Sequence, residues 1–107
     1  IDRNPSLTNV AGLSGLTSMD GNLVIVQNEA LASLAGLESL TSVGQSLLIS
    51  SNSSLTSLDG LASLMSVGGV LSIYANDSLC QSSVDALIAA CTACSTVLNI
   101  TGNDDAC

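Results

Sequence analysis

The groups in this chain best placed for chemistry are its four cysteines, Cys80, Cys91, Cys94 and Cys107. Cys91-Thr92-Ala93-Cys94 has the C-x-x-C spacing of a redox dithiol, or of half a zinc site. A redox role needs a thioredoxin-like βαβ setting, which the surrounding residues do not provide. A structural zinc site needs a second close pair, and Cys80 and Cys107 lie too far apart in sequence to form one. Acid–base and nucleophilic catalysis need a base within reach of an acid or nucleophile. The chain has no His, so no His-based dyad is possible. Serines are plentiful but lack a companion base. Tyr74 is the only phenol, and Asp104-Asp105, the only adjacent acidic pair, reads as a solvated turn. Asp20, Asp59, Asp77, Asp104 and Asp105 fall at turns but in different places of the repeat described below, so they do not converge on a calcium site. The residues thus describe a protein that is not an enzyme and carries no cofactor or metal, with four cysteines destined for disulfides.

The chain has 107 residues, enough for one domain, and 47% of them are hydrophobic. It lacks Phe and Trp and has one Tyr, so Leu, Ile and Val must fill the core. Such cores suit stacked repeats, in which one pocket recurs in every layer. Nine acids face one base, Arg3, for a net charge of −8. Nucleic acid is excluded as a partner, because nothing could neutralise phosphates. An anionic membrane surface is excluded for the same reason. No apolar run approaches the roughly 20 residues of a bilayer span, so membrane insertion is not expected. Ile1-Asp2-Arg3-Asn4 has neither a basic nor an apolar leader character, as expected of a mature product or a fragment. An even cysteine count in a short, turn-rich chain points to disulfides and an extracellular or cell-surface location.

What must position these residues is a repeat. Asn4, Asn28, Asn52 and Asn76 recur every 24 residues. Leu7, Leu31, Leu55 and Leu79 keep the same step, as do Leu23, Leu47 and Leu71, and Ile25, Ile49 and Ile73. The unit reads L-x-I-x-x-N-x-x-L-x-x-L-x-G-L-x-x-L-x-x-V-G-G-x. Its L-x-I segment alternates with period 2, the mark of a short strand with one buried face. Its leucines then recur every third residue, which suits 3₁₀-like turns better than an α-helix. Gly21, Gly44 and Gly68-Gly69 are expected to make the corner before each strand. The Asn column, which continues to Asn103, is expected to be structural. A carboxamide with two donors and an acceptor can satisfy backbone groups at the inner corner and bond to its stacked neighbours.

The C-terminal part departs from the unit. Ser82-Ser83-Val84-Asp85 fits a capping box, and Val84, Leu87, Ile88 and Cys91 follow at helical spacing, so a helix is expected over about 82–91. Leu98-Asn99-Ile100-Thr101-Gly102-Asn103 restores the strand and its Asn, 27 residues after Asn76.

This pattern resembles the receptor L-domain-like branch of the leucine-rich repeats, found in bacterial surface proteins and in growth-factor-receptor L domains. The terminal stretch Leu79-Cys80-Gln81 to Cys107 is similar to the closing turn of such proteins. The resemblance covers nearly all of residues 1–107. It implies one right-handed parallel β-solenoid of four to five coils, closed over 80–107 by a disulfide-stabilised coil with the helix. It implies no particular ligand, because the repeated residues are scaffold.

Within that architecture Cys80 and Cys107 hold the same place in neighbouring coils, four residues after Asn76 and Asn103. Parallel neighbours about 4.8 Å apart are within disulfide reach, so the expected bridges are Cys80–Cys107 and Cys91–Cys94. The outward strand columns are Val24, Leu48, Ser72, Asn99 and Val26, Ser50, Tyr74, Thr101, flanked by Gln27, Ser51 and Ala75. Val24, Val26 and Leu48, with Tyr74 beside them, form a candidate contact patch. Asn99-Ile100-Thr101 is a glycosylation sequon with Asn99 outward; Asn52 and Asn76 also sit in sequons but are ladder residues. The first functional expectation is a structural or adhesive surface protein acting through protein–protein contacts and end-to-end self-assembly. The alternative is a module recognising a protein or glycan on the strand face. A third is ice binding by the Ser/Thr rows, against which stand the interruptions at Ala32 and Met65.

Overall fold

The computed structural model describes residues 3–4, 6–94, 96–100 and 102–103. Two parallel sheets run through it. The longer takes β2 (Leu23–Val26), β4 (Leu47–Ser50), β6 (Val70–Tyr74) and β7 (Thr96–Asn99), in that order. The shorter takes β1 (Ser18–Met19), β3 (Ser42–Val43) and β5 (Ser66–Val67). Each 24-residue unit therefore carries two strands rather than the single L-x-I strand expected. The added one is the Ser-Val pair just before the glycine corner, too short for its alternation to register as a strand.

The repeat sets the register directly. Leu23 pairs with Leu47 and Leu47 with Leu71, while Ser18 pairs with Ser42 and Ser42 with Ser66. At β7 the step changes: Leu71 pairs with Val97 but Ser72 with Asn99, so a bulge takes up one residue. The last strand thus begins earlier than Leu98, at Thr96.

Between the sheets the period-3 leucines close i→i+3 turns. The N–H of Leu37 donates to the Leu34 carbonyl at 3.1 Å and that of Leu40 to the Leu37 carbonyl at 3.0 Å. Two such stretches, Ala11–Leu13 and Asp59–Leu61, form 3₁₀ turns. Of the leucines so held, Leu31, Leu34, Leu37, Leu40, Leu55, Leu61 and Leu64 point inward and are at most 1% exposed. With Ile25, Ile49 and Ile73 they form one aliphatic core.

The expected corners form: the chain bends at Gly21, Gly44 and Gly68-Gly69, before β2, β4 and β6, with no left-handed backbone at these glycines. Left-handed backbone falls at Arg3, Gln27, Ser51 and Ala75, each the residue before a ladder Asn, with φ between 52° and 59°, and at Gly36 and Gly102. Gly44 and Gly68 serve close approach to the preceding unit, whereas a Cβ on Gly21 would meet nothing; away from the corners a Cβ on Gly60 would collide with the Leu34 carbonyl, and one on Gly36 with the Val10 carbonyl. The helix, α1, spans Gln81–Ala90, and its N-cap is Cys80 rather than Ser82, with no side-chain capping bond. The serine next to it faces the preceding unit, where the Ser83 hydroxyl accepts from the Leu58 N–H at 2.9 Å.

Candidate functional site

The ladder asparagines lie at the inner corner after each longer strand. Asn28, Asn52 and Asn76 are completely buried. The backbone N–H of Asn4 donates to Asn28 Oδ1 at 3.0 Å, that of Asn28 to Asn52 Oδ1 at 3.0 Å, and that of Asn76 to Asn103 Oδ1 at 3.3 Å. Asn52 Nδ2 and Asn76 Nδ2 also donate to the carbonyls of Ile25 and Ile49 one unit back, at 2.9 and 3.0 Å. Asn103 Nδ2 reaches the Ile73 carbonyl at 2.9 Å. Every carboxamide is engaged in joining units, and none of the three buried ones is open to a ligand or a glycan.

Cys91 and Cys94 form a disulfide where α1 hands the chain back to the sheets. Ala93, between them, bridges to Ser66 beside the shorter sheet. Cys80 is also disulfide-bonded; its expected partner, Cys107, lies outside the described residues. So do Ile1, Thr101, Asp104 and Asp105. Among the described residues no group of three or more His, Cys, Asp or Glu could hold a metal ion. No helix among them is long and apolar enough to cross a membrane.

The outward face of the longer sheet carries partly accessible side chains. Strand alternation turns Leu23, Ile25, Leu47 and Ile49 into the core, and Val24, Val26 and Leu48 away from it. Val24 pairs with Leu48, and Val26 with Ser50, which pairs in turn with Tyr74. Val24, Val26, Leu48 and Tyr74 are half-buried rather than exposed, because each is flanked by neighbours on adjacent strands. Tyr74 does not abut Val26; Ser50 stands between them. Asn99 ends β7 opposite Ser72, and the direction of its side chain lies outside what is described. At the rim, Arg3 Nε donates to Gln27 Oε1 at 2.8 Å.

Two large apolar side chains are more exposed than any in this patch, Met65 at 56% and Leu13 at 36%. Met65 stands in the row of Thr17 and Thr41 and interrupts it, as its residue type suggested. Leu13 occupies a position whose equivalents, Leu37 and Leu61, are fully buried. No sequence signal separates it from them; only its place in the first unit does.

No protein-family model, curated protein or solved structure matches this chain.

Proposed function

We propose that this chain is an extracellular, non-catalytic repeat module of the leucine-rich, receptor L-domain-like kind. In this reading it is a right-handed parallel β-solenoid that works by contact through the outward face of its longer sheet. The observation that carries the reading is the makeup of that face. Val24, Leu48, Val26 and Tyr74 lie on three adjacent strands in continuous register and remain partly accessible. The buried asparagines of the repeat are engaged in the scaffold, which leaves the outward columns for recognition. The Cys91–Cys94 disulfide and the disulfide-bonded Cys80 support an oxidising, extracellular setting. The absence of His supports the non-catalytic part of the reading. Beads coated with the domain should adhere to extracellular matrix. Leu48→Asp should reduce that adhesion at least several-fold, and Ser54→Asp on the opposite side of the corner should not. Equal adhesion by the two variants would refute the reading.

A second reading, end-to-end assembly, rests on a different observation. Among the described residues of the first unit, Leu7, Leu16 and Met19 pack only partly against the core, and Leu13 is exposed. Among the described residues β1 is bonded to β3 alone. Such an edge accepts a further strand. A monodisperse monomer by light scattering at high concentration would exclude assembly between copies.

A further inference from the structure

The outward face of the longer sheet has a diagonal trough. Ser50 stands in register between Val26 and Tyr74, and Ser72 between Leu48 and Asn99. Leu48 and Tyr74 therefore occupy one diagonal of a square and Ser50 and Ser72 the other. The two serines are sunk beneath their larger neighbours, at 3% and 9% exposure. Strand alternation turns both away from the core. Neither hydroxyl has a hydrogen-bond partner among the described residues, and no buried side-chain polar atom there is both sealed from solvent and unpaired. Both hydroxyl oxygens therefore keep a small contact with solvent on that face. A hydroxyl donates one bond and accepts others, and one held among apolar side chains gains most from a ligand that replaces its restricted water.

Among the described residues, the strands of this face also carry no charge. Its strands read Leu-Val-Ile-Val, Leu-Leu-Ile-Ser and Val-Leu-Ser-Ile-Tyr. The described carboxylates, Asp20, Glu29, Glu38, Asp59, Asp77 and Asp85, are exposed and lie off these strands. These strands offer an ionic ligand no partner, and the one described cation, Arg3, is engaged at the rim by Gln27. Size narrows the choice further. Four strands about 4.8 Å apart and four residues of about 3.3 Å rise span roughly 250 Å², far short of the about 800 Å² per partner of a stable protein interface. Strand spacing and rise put the two hydroxyls about 8 Å apart, the scale of a short polyhydroxyl ligand.

We propose that this trough binds a neutral saccharide. Ser50 and Ser72 exchange hydrogen bonds with ring hydroxyls, while the C–H face of a sugar rests on Val26, Leu48 and the electron-rich face of Tyr74. The proposal rests on the contact reading above and names its ligand class. Binding is weak, because a shallow trough covers one side of the ligand.

The test is an amide NMR titration of the whole chain with neutral tetrasaccharides of glucose, galactose, mannose and N-acetylglucosamine. At millimolar concentration at least one should shift the amides of Ser50, Ser72 and Tyr74. Ser50→Val and Ser72→Val, which fill the trough, should weaken binding at least tenfold. Tyr74→Leu, which keeps bulk but removes the ring, should weaken it several-fold and serves if the valine variants disturb the sheet. The proposal is overturned if no tetrasaccharide shifts these residues, or if all three variants bind as well as the parent. If the sugars fail while Leu48→Asp still abolishes adhesion, the contact face stands and its ligand is not a saccharide. If both fail, both readings fall.

Discussion

Asn76 Oδ1 accepts two hydrogen bonds from Asn52, one from its backbone N–H at 3.1 Å and one from its side-chain Nδ2 at 3.1 Å. Both residues are completely buried. One carboxamide thus holds the inner corners of two units in register. Asn52 repeats the arrangement with Asn28, whose N–H and Nδ2 reach its Oδ1 at 3.0 and 3.2 Å.

Asn52→Ala should therefore cost on the order of 3 kcal/mol, since it strands the Asn28 donors, the Ile25 carbonyl and one bond to Asn76, and each orphaned buried group costs roughly 1–3 kcal/mol. Ser54→Ala, at an exposed turn, should change stability by less than about 0.5 kcal/mol. Urea midpoints of the two variants measure the difference, and equal shifts would contradict the ladder.

Gly60→Ala should destabilise by about 1–3 kcal/mol, because the added methyl meets the Leu34 carbonyl and the backbones of two units must part. Gly12 holds the same place in the repeat, yet a methyl there meets nothing. Gly12→Ala should be nearly neutral by the same denaturation measurement.

Ser51 has φ of 59°, a left-handed backbone that costs a side chain-bearing residue roughly 1–2 kcal/mol. Ser51→Gly removes that strain and loses about 0.5–1 kcal/mol to chain entropy, so the thermal midpoint should rise slightly. Ser51→Val, β-branched at a positive φ, should lower it by several degrees. A higher midpoint for valine than for glycine would contradict this corner geometry.

Cys91→Ser should cost about 2 kcal/mol, from loop-closure entropy over four residues. The effect should be local. The Ala93 N–H donates to the Met65 carbonyl at 3.0 Å, and hydrogen exchange at that amide should accelerate more than at Ile49, deep in the longer sheet. A peptide map joining Cys80 to Cys91 would contradict the pairing.

The sequence by itself determined everything that depends on residues meeting their own copies one unit away. A step of 24 residues brings Asn28 to Asn52 and Leu23 to Leu47, because parallel strands in register place equal positions side by side. The inward leucines, the Asn ladder and the outward columns all follow from that step. The site was legible only as a column of residue types. That Ser50 and Ser72 sink to 3% and 9% exposure depends on the bulk of Val26, Tyr74 and Leu48 on adjacent strands, which no single segment records. Tertiary structure also decided the exceptions. The helix starts at Gln81 with Cys80 as its N-cap, and Ser83 bonds to the preceding unit at Leu58. The glycine columns became contact points because backbones of adjacent units press together at Gly36 and Gly60. Leu13 stayed exposed where Leu37 and Leu61 are buried, for burial belongs to the neighbouring unit and not to the residue. Local pattern governs what each unit can form, whereas close approach and burial arise only between units once they stack.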